Sequence, residues 1–508
     1  MSDKKGDAIQ SLREKLPDRC SWALIVTFAA VCFWLSSGKD LWLDELFTWY
    51  QVRDKSLGDL LRATDTGFNL MPVGHFFLLW LIDQAGLLTA FSARFISIGA
   101  LVGGLVVVWR LWRGLWGSTV ALLVLATIVG ASFPLLVYAI EVRPYALTFL
   151  FAVLAIRSVS RLMESPENRL ELFLNTAWSF ALPFLSYPAS IYSVSLLAGM
   201  WIATASEGKR LPWMIIASYV SGWGLFFLVS GRSLLQQLGG NSMGLGHQAP
   251  QLAELFQAYS SLVAFPLASI VVLLAAAVGR RKTEGFDRQS AARILRVDAV
   301  TWSQLFWMLA PLACFVLSKA AKVTIWGDRF FLPSVVAIGS LGGFLIAPYA
   351  TALLAVRRWV AYAILAAGIA SLGANAIALS RANHATPVRR FESTIMGRFK
   401  GQTVVTNEMN TYFHLLYYDQ TPRDLRLFSY TPREKALRQR VSSRIASIDE
   451  AEMFRLRSFV VFVDAESKWA DRLRGQFSSH GLRIKFVEPY SNEIVKEIWQ
   501  VEAESAHD

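Results

Sequence analysis

Apolar runs of about 16–20 residues recur along this chain from residue 21 to about residue 380, and no other feature restricts its fold as strongly. Wound as a helix, a run of that length matches the hydrocarbon thickness of a bilayer. A backbone in lipid must satisfy its own hydrogen bonds, which leaves helices or closed barrels. The runs cover residues 21–37, 94–109, 117–136, 144–160, 171–186, 188–206, 212–230, 262–279, 300–318, 332–348 and 359–379. Of the 508 residues, 54% are hydrophobic and only 17% are charged, less charge than a soluble protein of this length carries. The expected fold class is a polytopic α-helical membrane protein with about 11 transmembrane helices in residues 1–380, ahead of a small soluble domain.

Charge becomes frequent after about residue 385. Residues 403–406, 459–463 and 482–487 read as strands, 411–419 as a helix and 466–478 as an amphipathic helix. Residues 381–508 are therefore expected to form a C-terminal α/β domain. It has no Gly-rich phosphate loop, so nucleotide binding is not expected.

Basic residues set the topology. Arg110 and Arg113; Arg157, Arg161 and Arg169; Lys209 and Arg210; Arg280, Arg281, Lys282 and Arg288; and Arg357 and Arg358 all fall between apolar runs. The positive-inside rule places them in the cytoplasm. That holds when the N-terminus is cytoplasmic and the further apolar segment 70–88 lies at the interface instead of crossing. The first external loop then covers residues 38–93, and the odd number of crossings puts the C-terminal domain outside. The polar, basic stretch before residue 20 leads into the first run with no small-x-small cleavage site, which reads as a retained signal anchor. The formal net charge of +12 is thus a membrane-topology signal. With no zinc-finger spacing or helix-turn-helix, the expected partners are membrane lipids and no nucleic acid. Cys20, Cys32 and Cys314 form no disulfide or metal pattern.

Asp44 and Glu45 follow the first run directly, among aromatic residues. Charge beside a bilayer core is costly, so such a pair is a site candidate; the plain alternative is a solvated acidic turn. If the segment is helical, adjacent side chains diverge by about 100°, so the two acids cannot share a direction. Outside the cell membrane there is no pool of nucleotide sugars, and an energy-rich donor must arrive in the lipid. Transfer from a polyprenyl-phosphate sugar needs a carboxylate to take the acceptor proton, for which Asp44 is the candidate. It also needs cations for the departing phosphate: Arg143, Arg329, Lys319, Lys322 and Lys55 are the candidates. Glu45 and Glu141 are second acids that position donor or acceptor. Tyr145, His75, Tyr187 and His247 are candidate sugar or acceptor contacts. Several of these have ordinary readings: an ion pair of Glu141 with Arg143, another of Asp328 with Arg329, a packed His75, an exposed His247. A monophosphate can be held by Arg and Lys alone, so no obligatory metal or other cofactor is expected.

The order of three motifs resembles the GT-C membrane glycosyltransferases. Trp42-Leu43-Asp44-Glu45-Leu46-Phe47-Thr48 follows the first run. Glu141-Val142-Arg143-Pro144-Tyr145-Ala146-Leu147 enters the fourth, and Asp328-Arg329-Phe330-Phe331-Leu332-Pro333 enters a late one. Within that class the chain is similar to the protein O-mannosyltransferase and ArnT-like (aminoarabinose transferase) superfamily. The resemblance implies Asp44 as catalytic base, Arg329 as the aromatic-flanked arginine before a late span, and Arg143-Pro144-Tyr145 as a family element. One departure stands out: where many members carry a His-Pro-Pro-like element, this chain reads Asn69-Leu70-Met71-Pro72-Val73-Gly74-His75. The implied function is transfer of a sugar from a polyprenyl-phosphate donor to a hydroxyl of lipid A or lipopolysaccharide, an envelope glycan or a protein. The expected place is the external face of a bacterial inner membrane. The competing expectation is a lipid or sugar transporter or flippase, against which the sequence shows no internal repeat.

Overall fold

The computed structural model describes residues 2–53, 55–65, 71–131, 133–236, 250–259, 298–321, 328–342, 359–385, 399, 401–406, 409–418, 424–429, 446–464, 468–489 and 495–503. Its helices are α1 (Ser2–Gly38), α2 (Leu43–Val52), α3 (Leu57–Asp65), α4 (Val73–Gln84), α5 (Ala90–Trp116), α6 (Ser118–Ala131), α7 (Phe133–Ala139), α8 (Tyr145–Glu164), α9 (Arg169–Leu185), α10 (Ser190–Ser206), α11 (Trp213–Gln236), α12 (Ala299–Ala321) and α13 (Trp359–Ala385). Among the described residues seven helices are long and apolar enough to cross a membrane, or eight if the pair α6–α7 is one bent span. A shorter apolar helix, Arg329–Gly342, opens with the 3-10 turn Asp328–Phe331.

These helices, together with α9 for the run 171–186, coincide with the apolar runs; the run 262–279 and residues 343–348 of the run 332–348 lie outside the described residues. Run 117–136, expected as one helix, is two helices bent by 75°. Pro134 stands at the start of the second, and a proline disfavours helical geometry in the residue before it. Segment 70–88 becomes α4, 12 residues long and so about 18 Å, too short to span a bilayer core. It packs against α2, α3 and α9.

Lipid tails are as apolar as the side chains, so helix association rests on close packing and polar contacts. The α10–α12 pair shows this. A Cβ on Gly199 would lie 2.7 Å from the Ser303 backbone nitrogen, so only glycine permits the approach. Gly222 does the same for α11, where a Cβ would meet the Thr176 carbonyl of α9 at 2.6 Å. Between α9 and α11, Asn175 Nδ2 donates to Ser218 Oγ at 2.7 Å.

The C-terminal region holds one six-stranded sheet in the order β3-β2-β1-β4-β6-β5. The strands are β1 (Thr403–Thr406), β2 (Asp424–Phe428), β3 (Ser447–Ile448), β4 (Ser458–Asp464), β5 (Leu482–Pro489) and β6 (Val495–Ala503). β1 pairs in parallel with β2 and β4, and β2 with β3; β6 pairs antiparallel with β4 and β5. Helix α14 (Met409–Tyr418) links β1 to β2, and α15 (Lys468–Ser479) links β4 to β5. Leu473 and Phe477 of α15 cover one face of the sheet with Val405, Val461 and Trp499. Leu415 of α14 covers the other with Val404, Val460 and Ile498. Burial on both faces is what alternating side chains of β1 and β4 require.

Candidate active site

Four residues separate helix α2 from the end of α1. Its third helical residue, Glu45, reaches back so that the Trp42 backbone N–H donates to Glu45 Oε2 at 3.1 Å, which satisfies a donor orphaned at the helix start. Asp44 and Glu45 both lie in the first turn, where the helix dipole favours negative charge. As their angular separation requires, they point to different partners.

Asp44 faces two guanidinium groups. Nη2 of Arg143 donates to Asp44 Oδ2 at 3.1 Å, and Nη1 of Arg329 donates to the same oxygen at 3.2 Å. Arg143 Nη1 also reaches Thr48 Oγ1 at 3.3 Å, one turn along α2. The Arg143 side chain is 4% exposed, Asp44 21% and Arg329 37%, so the cluster opens to solvent on the Arg329 side. Arg143 comes from the link between α7 and α8, Arg329 from the 3-10 turn that opens the late apolar helix. Tyr145 lies beneath them, with the Arg143 guanidinium 5.8 Å from its ring and Phe330 edge-on at 5.8 Å.

Glu45 turns inward to a buried brace. Arg94 Nη2 donates to Glu45 Oε2 at 3.2 Å, and the Val142 N–H donates to Oε1 at 2.8 Å. Arg94 also donates to the carbonyls of Ser36 (3.1 Å), Lys39 (2.6 Å) and Asp40 (3.0 Å), capping the C-terminal end of α1. Burial opposes ionisation of Glu45, yet Lys39, then Arg94 and the Val142 N–H, outweigh it and hold the carboxyl below its ordinary range. Glu141 pairs with Lys39 Nζ at 3.4 Å, not with Arg143. Burial pushes its carboxyl up to about 7, Lys39 opposing and Glu45 adding. Its Oε2 is buried with no hydrogen-bond partner among the described residues.

The remaining candidates are spread more widely. His75 of α4 is buried beside Arg143; burial first, then that charge, lowers it to about 3, so the ring is neutral. Burial lowers Lys55 to about 8, with Asp59 opposing, and its carbonyl accepts from Trp80 Nε1 at 2.8 Å. Lys319 is exposed at the end of α12, 5.8 Å from the Phe315 ring. Tyr187 packs on Phe226 at 6.2 Å. Lys322 and His247 lie outside the described residues. No group of three His, Cys, Asp or Glu gathers in metal-ligating geometry among the described residues. Two residues that the sequence candidates leave out, Arg94 and Lys39, complete the brace. A guanidinium at the first position of an apolar run was the signal for Arg94, since charge at that depth needs a partner.

The helices, with this site at one end and the small α/β region beside them, have a fold of the GT-C type, in a chain with several helices able to cross a membrane. Solved structures share it, two of ArnT among them. ArnT from Cupriavidus metallidurans bound to undecaprenyl phosphate superposes with a TM-score of 0.59 at 11% identity, over 94% of this chain and 97% of that one. The apo state of the same protein gives 0.59 at 12% identity over the same shares. No protein-family model matches the chain, and no curated protein matches it in sequence.

Proposed function

We propose that this protein transfers a sugar from a polyprenyl-phosphate donor to an acceptor hydroxyl on the external face of a bacterial inner membrane. The observation that carries this reading is Asp44 held between Arg143 and Arg329 at the solvent-open end of the helices. The acceptor oxygen attacks the anomeric carbon and gives its proton to Asp44. The bond from that carbon to the phosphate oxygen breaks, and the lipid phosphate takes the electron pair. Arg143 and Arg329 stabilise its charge; a guanidinium fork suits phosphate because it binds two oxygens. ArnT, which shares the fold, is a structure with undecaprenyl phosphate bound, and this supports a lipid phosphate as the group the two arginines meet. Two guanidiniums suffice for a monophosphate, so transfer is expected without an obligatory metal and to persist in chelator.

Helix direction supports the external placement. Arg94 and Tyr145 stand near the N-terminal ends of α5 and α8, while Arg113 and Arg161 stand in their last turns. At 27 and 20 residues these helices are about 40 and 30 Å long. Arg113 also pairs with Asp18 of α1 at 3.1 Å. The basic end and the N-terminal half of α1 are thus remote from Asp44, as the positive-inside rule expects for an external site and a cytoplasmic N-terminus.

The test is purified protein with radiolabelled polyprenyl-phosphate sugars and an envelope extract as acceptor source. Release of lipid phosphate with label on an acceptor is expected. Movement of the lipid across vesicles with no sugar released would favour a flippase and overturn the reading. Thiols introduced by Asp59→Cys and Arg483→Cys should be labelled from outside the cell, and that from Lys209→Cys only after permeabilisation.

A further inference from the structure

The helix that carries Asp44 is held from two sides, and only one of them belongs to the membrane half. α2 is 10 residues long. A helix that short is not stable alone, so its place is set by what packs on it. Glu45 ties it to α5 and Val142. Phe47, Trp49 and Tyr50, all buried, meet α14 of the C-terminal region. Phe413 contacts Phe47 edge-on with centroids 4.8 Å apart, and Tyr50 at 5.4 Å. Tyr417 meets Trp49 at 5.5 Å with the planes at 90°. Such edge-on pairs fix orientation as well as separation.

Helix α14 is in turn pinned from behind. Leu415 sits in the apolar layer of the sheet with Val404 and Val460, and the Ala446 N–H donates to Tyr412 Oη at 2.9 Å. Phe413 and Tyr417 are one turn apart, so they share a face. On α2, Phe47 is one turn from Asp44, and Thr48 Oγ1 donates to the Asp44 carbonyl at 2.9 Å. The aromatic seat therefore lies on the turn of α2 that aims Asp44.

We propose that Phe413 and Tyr417 are positioning residues: the C-terminal region seats α2 so that Asp44 stands between Arg143 and Arg329. The kinetic part of this rests on Asp44 being the base, and the geometric part does not. Tyr417 is half-buried at the rim of the contact, so Tyr417→Ala leaves the core of α14 in place.

Two measurements on the full-length protein test it. In sugar transfer, Tyr417→Ala and Phe413→Ala are expected to lower kcat about 10–100-fold, the scale of an ångström-sized misplacement. KM for the donor should stay within about threefold, and Phe413→Leu should recover most of the loss. The second measurement needs no catalysis. The native cysteines are buried, so a thiol introduced by Asp44→Cys is the reactive one. Between two guanidiniums it should react about tenfold or more faster with an anionic than with a cationic thiosulfonate. Adding Tyr417→Ala or Phe413→Ala should bring that ratio towards one. A ratio unchanged in both backgrounds overturns the positioning role, whatever the transfer assay gives. A falling ratio with no transfer by the parent protein supports the seat and overturns the catalytic reading instead.

Discussion

Nη1 of Arg329 donates to Oδ2 of Asp44 at 3.2 Å across 285 positions of sequence. Arg143 shares that oxygen, so an anion that binds the two guanidiniums competes with Asp44 for them. Asp44→Asn keeps the shape and removes the competing charge. Undecaprenyl phosphate should then bind up to about tenfold tighter, ~1.4 kcal/mol, while sugar transfer falls about 10²–10⁴-fold. Titration of labelled undecaprenyl phosphate onto both proteins checks the first effect and steady-state turnover the second. Weaker binding to the variant would show that the arginines do not form the phosphate site.

Arg329 is the solvent-open member of the pair, so its removal should act on ligand more than on folding. A lost charge-assisted contact costs roughly 1.5–3 kcal/mol. Arg329→Ala should therefore weaken lipid-phosphate binding by about 10–100-fold and lower turnover as well. Arg329→Lys keeps the charge and loses the fork, and should recover only part of the loss. Equal behaviour of Lys and Ala at this position would argue against a phosphate contact.

Glu45→Gln should injure assembly more than chemistry. The variant leaves Arg94 buried without its carboxylate, and breaking one side of a buried ion pair costs about 3–5 kcal/mol. Thermal unfolding in detergent should show a clear drop in Tm for Glu45→Gln and for Arg94→Met, and little change for Asp44→Asn. Activity per folded molecule should fall less for Glu45→Gln than for Asp44→Asn. A Tm unaffected by Glu45→Gln would mean that the brace does not hold α2.

Glu141 gives the site region a pH signature. Burial raises its carboxyl from an ordinary 4.5 to about 7, so between these values the folded state holds a proton that the unfolded state has released. Stability from this group is then present below about pH 4.5 and is lost as pH rises through 7. Glu141→Gln should flatten this slope and leave the protein more stable than the parent above pH 7. Melting curves from pH 5 to 8 measure it, and an unchanged slope would locate the pH dependence elsewhere.

Much of the C-terminal sheet was readable in advance, because β1 and β4 are short runs rich in β-branched and aromatic residues and β5 opens with alternating apolar and basic residues. β2, β3 and β6 were not. Asp424-Leu425-Arg426-Leu427-Phe428 is brief, Ser447–Ile448 has two residues, and Val495–Ala503 mixes acids and lysine into its alternation. Their strand character comes from pairing with neighbours that sequence does not display. The bend between α6 and α7 had a visible cause in Pro134, but the run around it is apolar throughout.

The sequence by itself determined which runs are long and apolar enough to cross a membrane, where basic residues fall between them, and which carboxylates directly follow the first run. These follow from run length, charge and desolvation cost, all local quantities. Only the tertiary structure decided the partners. Glu141 took Lys39 rather than its neighbour Arg143, Arg143 and Arg329 converged on Asp44, and Arg94 was drawn to Glu45. Ion pairs and aromatic seats depend on distance in space, and the helices that set those distances pack by shape, through small residues such as Gly199 and Gly222, which no one-dimensional pattern reports.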